Sequence, residues 1–258
     1  MLIKDDPKWV DSLLYLGDLS LGGSAGNLDK WLFRTMDGKA LYVKGRYSID
    51  TYEPETEVCC YELASLFGLA SVPQFLVKMP LIQDGFLSAS YDFSNGLDCA
   101  SLFRYARKTL KSTFSLSLKE SRYHAVCSLL PHAGKLLHDS ILAFDFIVGN
   151  PDRHLRNFEL RLNPDGSFAS LVEAFDFGEA LFSKGIKPPE SLGANPYERQ
   201  HLKQFDLLKS LKYEPKIESA DESDIQKIIH DYFCFDERRA SFLSDFVIRN
   251  YRLQQSST

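Results

Sequence analysis

The chain has 258 residues, 44% hydrophobic and 25% charged, enough to bury a core without disulfides or a structural metal. Its formal net charge of −5 excludes the broad basic footprint that nucleic-acid binding draws on. No segment approaches ~18 uninterrupted apolar residues, and MLIKDDPKWV lacks the apolar run of a signal peptide, so a cytoplasmic protein without membrane contact is expected.

Five cysteines, at 59, 60, 99, 127 and 234, are odd in number and irregular in spacing. They read as reduced, buried thiols, and none has zinc-ligand spacing. Along the chain, the first ninety residues read mostly as strands. LGDLSLGGSAGNLDKWLF is a Gly-rich bend between two extended segments, and MDGKALYVKGR is a turn followed by alternating Leu41 and Val43. EPETEVCCYELASLFGLASVP is a helix, with Pro54 and glutamates in its first turn and Gly68 at its end. QFLVKMPLIQDGFLSASYDF predicts two strands around a Gln83-Asp84-Gly85 turn.

From Ser94 the pattern turns helical, with helices expected near 97–108, 116–130 and 133–149. FELRLNPDGSFASLVEAF predicts a hairpin turning at Asn163-Pro164-Asp165-Gly166. Two amphipathic helices follow at about 222–233 and 236–254, placed at the bottom of a helical lobe. The expected fold is α+β and two-lobed, protein-kinase-like, with a small β-rich lobe over residues 1–93 and a larger helical lobe over 94–258.

GNPDRHLRNFEL places Asp152 and Asn157 five apart, and AFDFGEAL follows with Asp176-Phe177-Gly178. Phosphoryl transfer needs an oxygen base for the attacking hydroxyl, oxygen ligands for magnesium, a cation on the phosphates and a backbone-rich loop over them. Asp152 suits the base, and Asn157 and Asp176 suit a hard cation that prefers oxygen. Asp-x-x-x-x-Asn, a hairpin, then Asp-Phe-Gly is the order of a kinase catalytic loop and metal loop. Upstream, Lys44 sits on a strand, with Glu57 or Glu62 on the next helix as its ion-pair partner. Gly22, Gly23, Ser24 and Gly26 of LGGSAGN form a small-residue turn whose N–H groups can approach phosphates. Any one of these parts recurs in unrelated folds as a turn, a helix-start charge or a solvated strand residue. Five parts in order point to one ATP and Mg2+ site.

FDFIVGNPDRHLRNFEL followed by FDFGEALF resembles the C-terminal half of the HipA-like serine/threonine kinases, bacterial toxins of toxin–antitoxin modules. EVCCYELASLFGLASVP is similar to a helix of that family and favours Glu57 over Glu62. NPYERQHLKQF sits where the family has a lysine-proline-phenylalanine segment. The resemblance covers about residues 15–205. It implies that Lys44 holds ATP phosphates, that Asp152 is the catalytic base and that Asn157 and Asp176 bind magnesium. It further implies autophosphorylation or regulation at Ser20 or Ser24, and a protein substrate, by family precedent an aminoacyl-tRNA synthetase. About twenty residues precede the Gly-rich loop, so the chain looks like a short, single-domain relative whose N-terminal subdomain is a separate protein, with an antitoxin as a further partner.

Here the histidine follows the aspartate, as Asp152-Arg153-His154. That order also occurs in phosphatidylinositol kinases, so a lipid or small-molecule kinase is a second reading, and a non-catalytic kinase-fold nucleotide-binding module a third. A P-loop is excluded because Gly38-Lys39 is followed by Ala40. No G-x-S-x-G elbow occurs for a hydrolase.

Overall fold

The computed structural model describes residues 3–4, 14–18, 29–48, 50–79, 83–110, 119–211 and 213–256. Six strands form the first sheet: β1 (Ile3–Lys4), β2 (Leu14–Asp18), β3 (Lys30–Arg34), β4 (Ala40–Lys44), β5 (Gln74–Met79) and β6 (Gln83–Tyr91). Their order is β1-β5-β6-β4-β3-β2, antiparallel except where β1 lies parallel to β5. Alternation along β4 buries Leu41 and Val43 on one face and turns Tyr42 and Lys44 to the other, which lines a cleft.

The turn expected at 83–85 is displaced. Met79 pairs with Gln83 and Lys78 with Phe86, so Asp84 and Gly85 form a bulge inside β6, and Gly85 takes the positive φ of 89° that it needs.

Between β4 and β5 runs α1 (Glu53–Leu66), opened by Pro54 near its first position and ended by Gly68 at φ 68°. Its residues Val58, Cys59, Cys60, Leu63 and Ala64 are buried, and they join one core with helices of the lower lobe. The outer face of the sheet has a separate small core of Phe33, Leu41, Val43, Phe75, Val77, Met79, Leu87 and Ala89.

The segment expected to be helical from 97 begins as a strand instead. β7 (Asp98–Ser101) pairs with β8 (Glu159–Leu162), which pairs with β9 (Phe168–Leu171). Only then does α2 (Leu102–Leu110) start. Asp98-Cys99-Ala100-Ser101 is poor in β-formers, and pairing with β8 overrides its local preference. α3 (Lys119–Cys127) and the long α4 (His132–Val148) follow.

After the second sheet come α5 (His201–Ser210), α6 (Glu222–Phe233) and α7 (Glu237–Gln255). The two tail helices do more than floor the lower lobe. α6 packs on α1, and the Tyr232 hydroxyl donates to Glu62 Oε1 at 2.5 Å. The cysteines also need correction: Cys59 and Cys60 are buried, Cys127 is partly buried, and Cys99 and Cys234 are exposed. Among the described residues no helix is long and apolar enough to cross a membrane.

Candidate active site

Helix α4 ends at Gly149 in the left-handed region, φ 65°, with its N–H on the Asp145 carbonyl. A side chain there would also come within 2.8 Å of Leu192 and Phe246, so glycine is required on both counts. The chain then turns into the loop carrying Asp152 and Asn157.

That loop is braced from inside. Arg153, fully buried, donates from Nε to Asp145 Oδ2 at 2.9 Å and from Nη2 to Oδ1 at 3.3 Å. Its Nη1 donates to the carbonyls of Asn157, 3.0 Å, and Phe175, 2.6 Å. Asn150 adds a bond to Asp145 Oδ1 at 2.9 Å. Burial pushes the Asp145 carboxyl up, with Arg153 opposing, and the guanidinium lies 4.8 Å from the Phe177 ring centroid. One cation therefore fixes the Asp152–Asn157 loop against the Asp176 loop. Sequence reading passed over Arg153, whose burial is a tertiary fact.

Asp152 is half-exposed. Its N–H donates to Asn150 Oδ1 at 3.1 Å, and its carbonyl accepts from Asn157 Nδ2 at 2.8 Å. Because the Asn157 amide donates inward, its oxygen is the atom left for the cleft that Asn157 lines. Burial raises the Asp152 carboxyl above its ordinary value; Glu179 and Asp176 add to this, and His154 and Arg153 oppose it. His154 Nε2 lies 4.0 Å from Asp152 Oδ2.

Lys44 joins the lobes. Its Nζ donates to Glu57 Oε1 at 2.9 Å and to Asp176 Oδ1 at 2.7 Å. Burial alone would lower the ammonium, but Asp176 and Glu57 outweigh it and hold it above its usual value. Burial likewise opposes ionisation of Asp176, yet Lys44 keeps that carboxyl well below the carboxylate range. Asp176 has a positive φ of 62°, unusual for a non-glycine residue. Glu57 Oε2 accepts the next backbone N–H, that of Phe177, at 2.9 Å, so α1 holds the backbone of the Asp176 loop directly. Glu62 is engaged by Tyr232 instead.

A second lysine belongs here and was missed. Lys30 stands directly opposite Lys44 across β3 and β4, and both line the same cleft of about 890 Å³. Burial and Lys44 lower the Lys30 ammonium, with Asp176 and Glu57 opposing. Like charges directly opposite each other on adjacent strands repel, and Asp176 and Glu57 offset that repulsion here. The hairpin register carried this signal, since Lys30 and Lys44 sit symmetrically about the turn at Met36-Asp37-Gly38.

Gly22, Gly23, Ser24 and Gly26, and Ser20, lie outside the described residues. Elsewhere among the described residues, Cys127, His138 and Asp139 bring ligand atoms within 4.8 Å of one another. Asp139 there already accepts from Tyr123, Lys135 and the Glu214 N–H, so the group is a hydrogen-bonded network.

No family model matches the chain, and no curated protein matches it in sequence. Solved structures do. A Helicobacter pylori proinflammatory kinase, CtkA, superposes with TM-score 0.69 at 15% identity, over 91% of this chain and 92% of that one. The fold is that of a kinase. HipA, from a Shewanella oneidensis MR-1 toxin–antitoxin complex of HipA, HipB and operator DNA, superposes with TM-score 0.57 at 14% identity. That match covers 94% of this chain and 65% of HipA.

Within this kinase fold, Lys44, Glu57, Asp176 and Asn157 meet in or beside one cleft, and the loop of Asn157 also carries Asp152. Asp176 and Asn157 offer only oxygen toward it, which fits magnesium and not a soft metal.

Proposed function

We propose that the chain is an ATP- and magnesium-dependent kinase that transfers a phosphoryl group to a serine or threonine hydroxyl. The observation that carries this reading is the double engagement of Lys44, by Glu57 from α1 and by Asp176 from the metal loop. A lysine used only for stability would not be held beside a second lysine and an oxygen-only donor set.

Lys44 and Lys30 would hold phosphate oxygens, and Glu57 keeps Lys44 aimed into the cleft. Asp176 and the Asn157 oxygen would hold magnesium, which when bound offsets negative charge on the transferred group. Asp152 would orient the acceptor hydroxyl and take its proton, and its raised pKa favours that role. A positioned base of this kind contributes ~10²–10⁴-fold. Arg153 keeps the base and the metal ligands in one frame. The Gly22–Gly26 turn would cover the phosphates, and Ser20 and Ser24 are candidate self-phosphorylation positions.

The proposal places the protein in the bacterial cytoplasm with a protein substrate. The likeness to HipA supports a toxin–antitoxin setting, with an antagonist of the HipB kind as partner.

Intact mass after incubation with Mg-ATP, for the natural chain and Asp152→Ala, tests the chemistry. Phosphate gained by the natural chain alone supports it, and peptide mapping then examines Ser20 and Ser24. The proposal fails if neither the chain nor proteins of a cytosolic extract gain phosphate and ATP turnover does not depend on magnesium.

A further inference from the structure

Helix α2 is bonded at its first turn onto the loop that carries Asp152 and Asn157. The Leu102 N–H donates to the Phe158 carbonyl at 2.7 Å, and the Phe103 N–H to the Leu155 carbonyl at 3.0 Å. Leu102 and Ala106 are buried on the inner side, which leaves Arg104, Arg107 and Lys108 exposed. α2 holds no acidic residue. Arg156, also exposed and adjacent in sequence to Asn157, lies with its guanidinium 5.2 Å from the Phe103 ring centroid. At that distance a cation–π contact orders the side chain.

Arg104 and Arg156 both line the cleft with His154, Asn157 and Asp176. In a chain of net charge −5, every charged side chain on the exposed face of α2 is positive, as is Arg156 at the same rim, while Asp92, Asp98 and Glu159 also line the cleft. Arg107 and Lys108 lie in the last turn, where they suit the helix dipole. Arg104 and Arg156 have no such account. Glu159 shares the cleft with Arg104 and interacts with it.

We propose that this rim recognises carboxylates flanking the acceptor hydroxyl, so that the substrate is a serine or threonine in an acidic stretch of a protein. This rests on the kinase reading above. Guanidinium groups take carboxylates bidentately. Because α2 is tied to the catalytic loop, a carboxylate held at Arg104 or Arg156 fixes the acceptor relative to Asp152. Nucleic acid is the poorer fit, because its affinity comes from neutralising many phosphates along a wide basic surface.

The experiment uses serine peptides with two glutamates on the N-terminal or C-terminal flank, and their glutamine and lysine counterparts. Phosphotransfer and peptide binding by fluorescence anisotropy are measured for the natural chain and R104E/R156E at low and high salt. Exposed charge pairs predict that one glutamate peptide exceeds its glutamine twin in kcat/KM by about three- to tenfold, with the gap narrowing at high salt. In R104E/R156E the order should invert toward the lysine peptide. The milder R107E should reduce the preference without inverting it.

Should no peptide accept phosphate, the binding arm still decides. Tighter binding of a glutamate peptide, lost in R104E/R156E, supports the rim even where phosphotransfer fails. Equal binding of glutamate and glutamine peptides overturns it. So does an RNA oligonucleotide that binds through these arginines while glutamate peptides do not.

Discussion

The Lys44 ammonium lies 2.7 Å from Asp176 Oδ1, across 132 residues of sequence. The same ammonium is 2.9 Å from Glu57 Oε1, and the other Glu57 oxygen takes the Phe177 N–H. Sheet, α1 and the Asp176 loop thus meet at one nitrogen. The Asp176 carboxyl is depressed by Lys44, so the stability from this contact is full above the ordinary carboxylate range. It is lost only as pH falls through the lower, folded value.

The two Glu57 oxygens have separable roles. Glu57→Gln keeps an acceptor for the Phe177 N–H but sets an amide N–H donor against the Lys44 ammonium, so it should lose less stability than Glu57→Ala while phosphotransfer falls. Glu57→Ala leaves the buried N–H unpaired and should cost about 1–3 kcal/mol as well. Urea unfolding beside a phosphotransfer assay separates the two effects. Equal stability of the two variants would remove the Phe177 contact from the account.

Arg153 is the most exposed to single-residue failure, because its removal strands Asp145 in the interior. Arg153→Met should destabilise by about 3–5 kcal/mol. Pairing it with Asp145→Leu should recover most of that stability without restoring phosphotransfer, since Asn157 and Phe175 still lose their shared donor. Denaturation midpoints of the three proteins decide this. A single variant as stable as the natural chain would show that the brace is dispensable.

In the proposed kinase, Asp152 is expected to set the acid limb of activity. Its carboxyl is raised by burial, so the base form is lost at a higher pH than for an ordinary aspartate near ~3.9. The kcat/KM profile should bend downward above that value on its acidic side. In Asp152→Asn the residual rate should lack the bend. A limb at the ordinary aspartate position would mean that the group stays solvated during the reaction.

Glu159 gives a stability signature of opposite slope to Asp176. Its folded pKa is about 7, above the ordinary ~4.3 of an unfolded chain. Between those values the folded state binds more protons, so stability should fall as pH rises through the window and level off above it. Glu159→Gln should flatten that slope and be the more stable protein at pH 8. Thermal unfolding at intervals from pH 4.5 to 8 measures this, and parallel curves for both proteins would contradict it.

Much of the candidate site was legible as a set of residues that the fold brings together, because the pattern uses few residue types in a fixed order. Asp152, Asn157 and Asp176 follow one another with a readable hairpin between them, and Lys44 sits on a strand with clear alternation. Lys30 was hidden because its meaning lies in cross-strand register, which appears only once the Met36-Asp37-Gly38 turn is placed. Arg153 was hidden because burial of a guanidinium is a tertiary fact. The strand at 98–101 was read as helix because its partner β8 lies some sixty residues away. The tail helices were located well by their apolar spacing. Their contact with α1 was not foreseeable, because amphipathic spacing says which face is buried and not against what.

That contact changes how the two lobes can move. α1 shares a core with α4, α6 and α7, while the outer face of the sheet has a core of its own. The helix that presents Glu57 is therefore tied to the lower body as well as to the sheet, where Leu76 of β5 joins the same core. Opening of the cleft is then expected as a slide of the sheet across α1, a shear and not a rotation about the 92–97 connection. In such a motion Lys44 is carried past a stationary Glu57, and the ion pair serves as the detent that marks the closed position.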